Sequence, residues 1–187
     1  MSSFMKTTLQ SIIFAGKQSQ VLLQRLITQD LNRSEQPQIS CICSPAGKVL
    51  YIFWVKKHPN HVEVWIDKSH VAGFCQLMRH YDPFKEVQWQ INSQQIMSQF
   101  INIPTQSIPW ELYLIQQHIP TLAAKDQNRF TPQMLKLDRH HAISFNKGCY
   151  VGHEVISKIH FKGETKRIIH YSQESSIINS AISHYYQ

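Results

Sequence analysis

The stretch ISCICSPAGKVLYIFWV, residues 39–55, decides the fold of this chain. Two apolar, β-rich runs, residues 39–43 and 49–55, flank a Pro-Ala-Gly turn, which is typical of a tight reversal between antiparallel strands. Farther along, residues 62–66 alternate with a period of two, which predicts a third, half-buried strand. The stretch therefore predicts the centre of an antiparallel sheet.

Helical spacing is found on both sides of these strands. Apolar residues recur every three or four positions over residues 71–81, which predicts a helix, and residues 87–91 alternate again as a strand. Before the hairpin, residues 11–14 predict a short strand, followed by a helix with Ser19 as its N-cap. The expected buried stripe of that helix consists of Val21, Leu22 and Leu26. We therefore expect an α+β fold, an antiparallel sheet with helices on one face.

The second half of the chain is less regular. Residues 92–107 are rich in polar side chains and predict a linker, after which Pro109 begins a helix that runs toward Pro120. The predicted division is an α+β domain over residues 1–100 and a smaller second domain over residues 101–187.

Composition excludes several classes of protein. The chain has 187 residues, of which 42% are hydrophobic and 17% charged, so it is neither disordered nor collagen-like. The longest apolar run, residues 49–55, is far shorter than the roughly 20 residues of a membrane-spanning helix. The N-terminal residues do not resemble a secretory signal. We therefore expect a cytoplasmic protein with no membrane partner.

The charge and the cysteines of the chain exclude fewer classes of protein than its composition does. The net charge of +7 is spread along the chain, which is more typical of a solvated surface than of a face that binds nucleic acid. Nucleic acid is therefore only a minor expectation among the partners. The four cysteines include no C-x-x-C pair, so we expect reduced thiols.

The most informative segment is residues 144–156. Gly148 and Gly152 bracket Cys149 and Tyr150, and the spacing that follows predicts a helix. A thiol just before a helix and close to Lys147 lies in a positive field that favours its thiolate, the form that acts as a nucleophile, metal ligand or redox group. The alternative is a small buried hydrophobe beside a glycine turn, and residue statistics alone favour that alternative.

The run Lys147–Glu154, followed by the basic stretch 162–167, resembles the K-G-C-Y-x-G-x-E signature of the YgfZ family. These are folate-binding proteins related to the T-protein, the aminomethyltransferase of the glycine cleavage system. Weaker matches lie in register. Residues 26–31 match the family's L-T-N-D-V helix end, and residues 44–48 match its P-x-G-[RK] turn. Trp110 matches the tryptophan upstream of its E-A-G-x-P, and residues 130–133 match its F-I-P-Q.

The chain also departs from the family pattern. The family has Gln where His153 stands. Its E-A-G corresponds to residues 116–118, so the acidic residue that meets the pterin is replaced by Gln116. An amide can still donate and accept hydrogen bonds, but it cannot form the charge-assisted pair.

The resemblance implies a T-protein/YgfZ-like fold lacking the C-terminal β-barrel, with tetrahydrofolate as cofactor. No metal is expected in the isolated protein. It implies that Cys149 is the reactive group, with Lys147 shaping its surroundings. The implied cofactor-binding residues are Asp30, Trp110, Gln116, Gly148, Tyr150, Gly152 and Glu154. From the residues alone, Asp30 is equally well explained as a helix end or turn former, and Trp110 as a core residue.

The implied function is an accessory role in the assembly or repair of iron–sulfur clusters, supporting cluster-dependent enzymes such as those of tRNA thiomethylation. The implied partners are folate and iron–sulfur proteins or assembly factors. Two alternatives stay open: a degenerate scaffold that has lost folate binding, and a reduced aminomethyltransferase.

Other groupings of metal-binding residue types are weaker. His58 and His61 flank a predicted turn, and with no third ligand expected nearby they are interpreted as exposed histidines. The pair His140 and His141 precedes an apolar, strand-like run and gives similarly little support for a metal site. Cys41 and Cys43 are expected on one face of a strand, which is too few ligands for a site of their own.

Overall fold

The computed structural model describes residues 9–92, 110–163, 168–170 and 185–186. Its main sheet has five strands: β1 (Leu9–Ala15), β2 (Gln38–Cys43), β3 (Val49–Lys57), β4 (His61–Asp67) and β5 (Gln88–Asn92). They pair antiparallel in the order β2-β3-β4-β1-β5. A short ladder joins β6 (Ile169–His170) to β7 (Tyr185–Tyr186). The predicted hairpin and the α+β class are confirmed.

The described helices are α1 (Lys17–Leu26), α2 (Val71–Tyr81), α3 (Trp110–Gln116) and α4 (His153–Lys162). Two 3-10 turns cover Lys68–His70 and Ala124–Asp126. The first two helices contribute to a core cluster on one face of the sheet, with Leu23 from α1 and Phe74 from α2 packed near Phe53 of β3. Among the described residues, no helix combines the length and apolar character needed to cross a membrane.

The details of α1 differ from the prediction. Its N-cap is Gly16, with φ 83°, and Ser19 lies inside the helix, where its buried hydroxyl donates to the carbonyls of Ala15 and Gly16. Val21 is 47% exposed, whereas Leu23 is fully buried. Residues two positions apart in a helix differ by about 200° of rotation around its axis. Val21 and Leu23 therefore cannot both lie on the face that meets the sheet. The expected N-cap and the expected place of Val21 in the stripe are therefore wrong.

The other face of the sheet is covered by the second half of the chain. Side chains alternate along β3, so Phe53 faces α1 and α2 while Ile52 and Trp54 point the other way. Ile52 packs in a cluster with residues from the region 122–169, and Trp54 packs with Trp110 of α3. Both clusters combine residues from either side of residue 100. The predicted division into two domains stays a prediction, and residues 93–107 of the predicted linker lie outside the described residues.

Candidate functional site

The motif loop, residues 144–152, lies against the chain that leaves α1. The backbone N–H of Ser144 donates to the carbonyl of Thr28 (2.8 Å), and the N–H of Val151 donates to the carbonyl of Arg25 (3.2 Å). These bonds join segments that are more than a hundred residues apart in the sequence. The structure therefore brings together the K-G-C-Y segment and the segment that resembles the family's helix end.

Lys147 fastens the loop to the same segment. Its Nζ donates to the carbonyls of Ile27 and Gln29, both at 2.8 Å. The ammonium also lies 5.3 Å from the centre of the Tyr150 ring. Desolvation by burial lowers the pKa of Lys147 to about 8, although the negative charge of Asp30 acts in the opposite direction. A neutral amine retains two N–H donors, so both carbonyls stay satisfied when the group loses its proton.

Two buried polar side chains hold the segment itself, and sequence reasoning did not select them as site residues. The Thr28 hydroxyl donates to the carbonyl of Ala142 (2.7 Å) and accepts from the backbone N–H of Cys41 (3.1 Å). The Gln29 amide donates to the carbonyl of His141, and its oxygen accepts from the N–H of Asp30. Apart from the motif match, the sequence offered no signal for them, because their partners lie far away along the chain.

Asp30 is half-buried next to Lys147. Burial alone would raise its pKa, but hydrogen bonds from Asn32 and Gln24 and the positive charge of Lys147 outweigh burial, so the pKa lies below its usual value. The backbone N–H of Asn32 donates to Oδ1 at 2.9 Å, which makes Asp30 a turn former, as one interpretation of the sequence expected. The hydrogen bonds found to this carboxylate within the described part of the chain all reach Oδ1.

Gly152 sets the loop against the turn between β2 and β3. It adopts φ 82° immediately before α4, and a Cβ at this position would lie 2.7 Å from the carbonyl oxygen of Ser44 and 3.1 Å from the Cα of Gly47. A Cβ on Gly47 would in turn lie 3.0 Å from Val155. The hairpin turn and the motif loop therefore approach each other at two glycines.

Residues 130–133, which match the family's F-I-P-Q, also contact the hairpin and the helix that follows the motif loop. The carbonyl of Phe130 accepts from the N–H of Val49 in β3, and the buried amide of Gln133 donates to the carbonyl of Ile156 in α4, both at 2.8 Å. Residues 130–133 therefore bridge the hairpin and the helix that follows the motif loop.

Cys149 and Tyr150 play opposite structural roles. Cys149 is exposed, so the interpretation of its thiol as a small buried hydrophobe is wrong. Tyr150 is buried in the cluster with Cys41 and Cys43, and burial raises the pKa of its hydroxyl. The ring stacks with His153 at 4.5 Å. The aromatic side chain anchors the loop, while the neighbouring thiol faces solvent.

The other predicted site residues are placed as follows. Trp110 is buried on α3, 5.4 Å from Trp54 and 5.5 Å from Tyr113 between ring centres, which is the core position that one interpretation expected. Gln116 is exposed at the end of α3. Glu154 is exposed in the first turn of α4, where a negative charge suits the helix dipole, and Gly148 is exposed within the loop. The functional roles assigned to these residues stay predictions.

The buried amine of Lys147 predicts a pH dependence of stability. Its folded-state pKa of about 8 lies below its ordinary value of 10.5, so between these values the unfolded state holds more protons and stability rises with pH. Between pH 8 and 9.5 we expect the wild type to gain on the order of 1 kcal/mol relative to Lys147→Met. Urea unfolding of both proteins at each pH measures this difference. Parallel pH profiles would contradict the prediction.

Comparison with known proteins places these segments in context. No family model matches the chain. An uncharacterized protein of Haemophilus influenzae is 25% identical over 89% of this chain and 72% of its own length. The tRNA-modifying protein YgfZ of Colwellia psychrerythraea is 40% identical over 60 residues, which are 32% of this chain and 18% of the YgfZ protein. The alignment thus spans less than a fifth of that relative.

Among solved structures, the glycine cleavage system aminomethyltransferase T from Bartonella henselae aligns with a TM-score of 0.41 and 11% identity. The alignment covers 46% of this chain and 24% of the aminomethyltransferase.

Proposed function

Because this chain is YgfZ-like, we propose that it is a cytoplasmic, tetrahydrofolate-linked accessory protein that assists the assembly or repair of iron–sulfur clusters. It would support cluster-dependent enzymes such as those that thiomethylate tRNA. One observation carries the proposal: the motif loop is fixed on the end of α1 by Lys147, which leaves the thiol of Cys149 exposed. The name of the YgfZ relatives, tRNA-modifying proteins, supports the link to tRNA.

The residues around the loop suit a pterin. Asp30 is a carboxylate at neutral pH, consistent with its lowered pKa, and the hydrogen bonds found to it within the described residues leave Oδ2 as an acceptor. The adjacent N–H groups of a pterin are donors that a carboxylate binds through charge-assisted hydrogen bonds. Asp30 would hold the pterin, and Cys149 would supply the thiol. Trp110 is not part of the proposal, because Trp54 and Tyr113 already cover its ring.

The residue at the family's acidic pterin contact favours an accessory role over an aminomethyltransferase. The position at which the family places its acidic pterin contact holds Gln116, an exposed amide. Without that carboxylate the charge-assisted bond that the family forms at this position is missing, while the exposed thiol of the motif loop is retained. Direct assay of glycine-dependent methylene transfer tests this alternative, and turnover would overturn the assignment.

Calorimetric titration with 5-formyltetrahydrofolate tests the folate part. We expect the wild type to bind and Asp30→Asn to bind roughly 10- to 100-fold more weakly, since a charge-assisted hydrogen bond contributes about 1.5–3 kcal/mol. The matched control is Asp126→Asn, which removes a carboxylate paired with Arg129. Absence of binding by the wild type at millimolar ligand would reject the folate role and favour a scaffold that has lost it.

Complementation tests the thiol. In a strain that lacks its own YgfZ, the wild type should restore tRNA thiomethylation, whereas Cys149→Ser should bind folate and yet fail to restore it. Cys75→Ser, at a half-buried cysteine of α2, is the control and should restore it fully. Full rescue by Cys149→Ser would reduce the role of the thiol to a structural one.

A further inference from the structure

Two histidines and a glutamate cluster where β3 turns into β4. His61 and Glu63 are two residues apart on β4, so they lie on the same face of the sheet. His58 lies in the turn, where its backbone N–H donates to the carbonyl of His61 (2.8 Å) and closes the reversal. The turn thus brings His58 back over the start of the strand. The sequence analysis counted only the two histidines, and the strand places Glu63, two residues after His61, beside them.

The side-chain atoms of the three residues converge. One ligand atom from each can be chosen so that all lie within 4.8 Å of one another. His58 Nε2 is 3.7 Å from Glu63 Oε2, and the two imidazole rings are stacked with centres 4.2 Å apart. In a tetrahedral zinc site with bonds of about 2.0–2.2 Å, the ligand atoms are about 3.4 Å apart. Closing the cluster around an ion therefore requires side-chain rotations that bring the ligand atoms closer and tilt the two stacked rings out of their parallel arrangement.

One ligand atom is unsatisfied in the absence of an ion. His58 Nε2 is buried and has no hydrogen-bond partner, since Glu63 Oε2 is beyond hydrogen-bond distance. Buried polar atoms in proteins normally have partners, so this nitrogen calls for an explanation. A metal ion between His58 and Glu63 would satisfy the nitrogen and the carboxylate together.

A supporting hydrogen bond orients the carboxylate. The hydroxyl of Ser11, on the neighbouring strand β1, donates to Oε1 of Glu63, which directs the other oxygen, Oε2, toward His58. Bonds of this kind, from outside the ligand set, hold ligands in place in protein metal sites. Lys56 on β3 lies opposite Glu63 on β4. The negative charge of the Glu63 carboxylate would therefore be shared between a bound cation and the positive charge of Lys56.

We propose that His58, His61 and Glu63 form a binding site for a divalent transition metal, with zinc as the expected ion. Two imidazoles and one carboxylate are a ligand set that suits zinc and leaves a fourth position for water. The proposal is independent of the folate role, because it rests on other residues.

Competition with a chromophoric chelator measures zinc binding by the metal-stripped full chain. We expect one tight equivalent in the wild type, and at least ten-fold weaker binding in His58→Ala, His61→Ala and Glu63→Gln. The matched control is His80→Ala, an exposed histidine of α2, which should bind as the wild type does. Equal loss in the control, or no tight equivalent in the wild type, would overturn the proposal.

Cobalt distinguishes this site from the cysteines. Substitution by Co²⁺ should give the visible bands of a tetrahedral site without thiolate charge-transfer absorption, and Cys149→Ser should not change them. Strong charge transfer that disappears in Cys149→Ser would assign the metal to the thiol and overturn the proposal. If Glu63→Gln fails to fold by circular dichroism, the two histidine variants decide, because the side chains that they remove lie at the turn.

Discussion

Replacing Trp110 with alanine should lower the free energy of unfolding by about 3–5 kcal/mol, the usual cost of removing a buried aromatic side chain. Trp110 is 2% exposed, and it packs with Trp54 and Trp65 from the sheet and with Leu114 from its own helix. Removing the indole opens a cavity between α3 and the sheet that these rigid neighbours cannot fill. Urea denaturation followed by circular dichroism measures the loss.

A conservative variant separates a core role from a ligand-stacking role for the same residue. Trp110→Phe keeps an aromatic ring and should cost less than Trp110→Ala, and its affinity for 5-formyltetrahydrofolate should equal that of the wild type. Trp89→Ala is the control for the loss of a tryptophan as such. Trp89 lies on β5 and is only partly buried, so this variant removes an indole without removing a fully buried one. A stable Trp110→Ala protein that has lost folate binding would contradict the core assignment.

The ambiguity of Trp110 shows what helical spacing can and cannot predict. The spacing between Trp110 and Leu114 places both on one side of a helix, and burial of that side follows. Whether a ring on that side meets a ligand or other side chains depends on what lies opposite. Here Trp54 and Trp65 come from β3 and β4, and no local pattern connects them to α3.

The hairpin was predictable because its information is local. A period of two and a Pro-Ala-Gly turn define the hairpin, and the structure pairs Cys41 with Ile52 and Ile39 with Trp54 accordingly. The face of α1 was harder, because adjacent apolar residues at positions 21–23 left open which of them point inward. The observed burial of Leu23 depends on how α1 packs against the sheet.

The candidate site was predictable only where residues act next to one another in the chain. The segment that carries Cys149 was evident, but residue statistics favoured a buried thiol, and the exposed position depends on Tyr150 being the anchor. Thr28 and Gln29 were not selected, since their partners are residues 141 and 142. Glu63 was not recognised as the third ligand because the reversal at His58 determines which side chains meet.

The glycine before α4 should be the most sensitive position of the motif loop. Gly152→Ala places a Cβ 2.7 Å from a backbone oxygen, that of Ser44, in a residue whose φ is already +82°. The left-handed backbone costs about 1–2 kcal/mol for a residue with a side chain, and overpacking against backbone adds about 1–3 kcal/mol. We expect a total loss of about 2–5 kcal/mol in the free energy of unfolding, measured by urea denaturation.

Gly148→Ala is a matched control within the same loop, because the two glycines share a positive φ but differ in their surroundings. Gly148 has φ +90°, and a Cβ there meets no heavy atom within 4 Å, so only the backbone strain of about 1 kcal/mol should appear. The difference between the two variants therefore isolates the contact between the motif loop and the hairpin turn. Equal losses in both would show that backbone conformation alone, and not the close approach to Ser44, requires glycine at position 152.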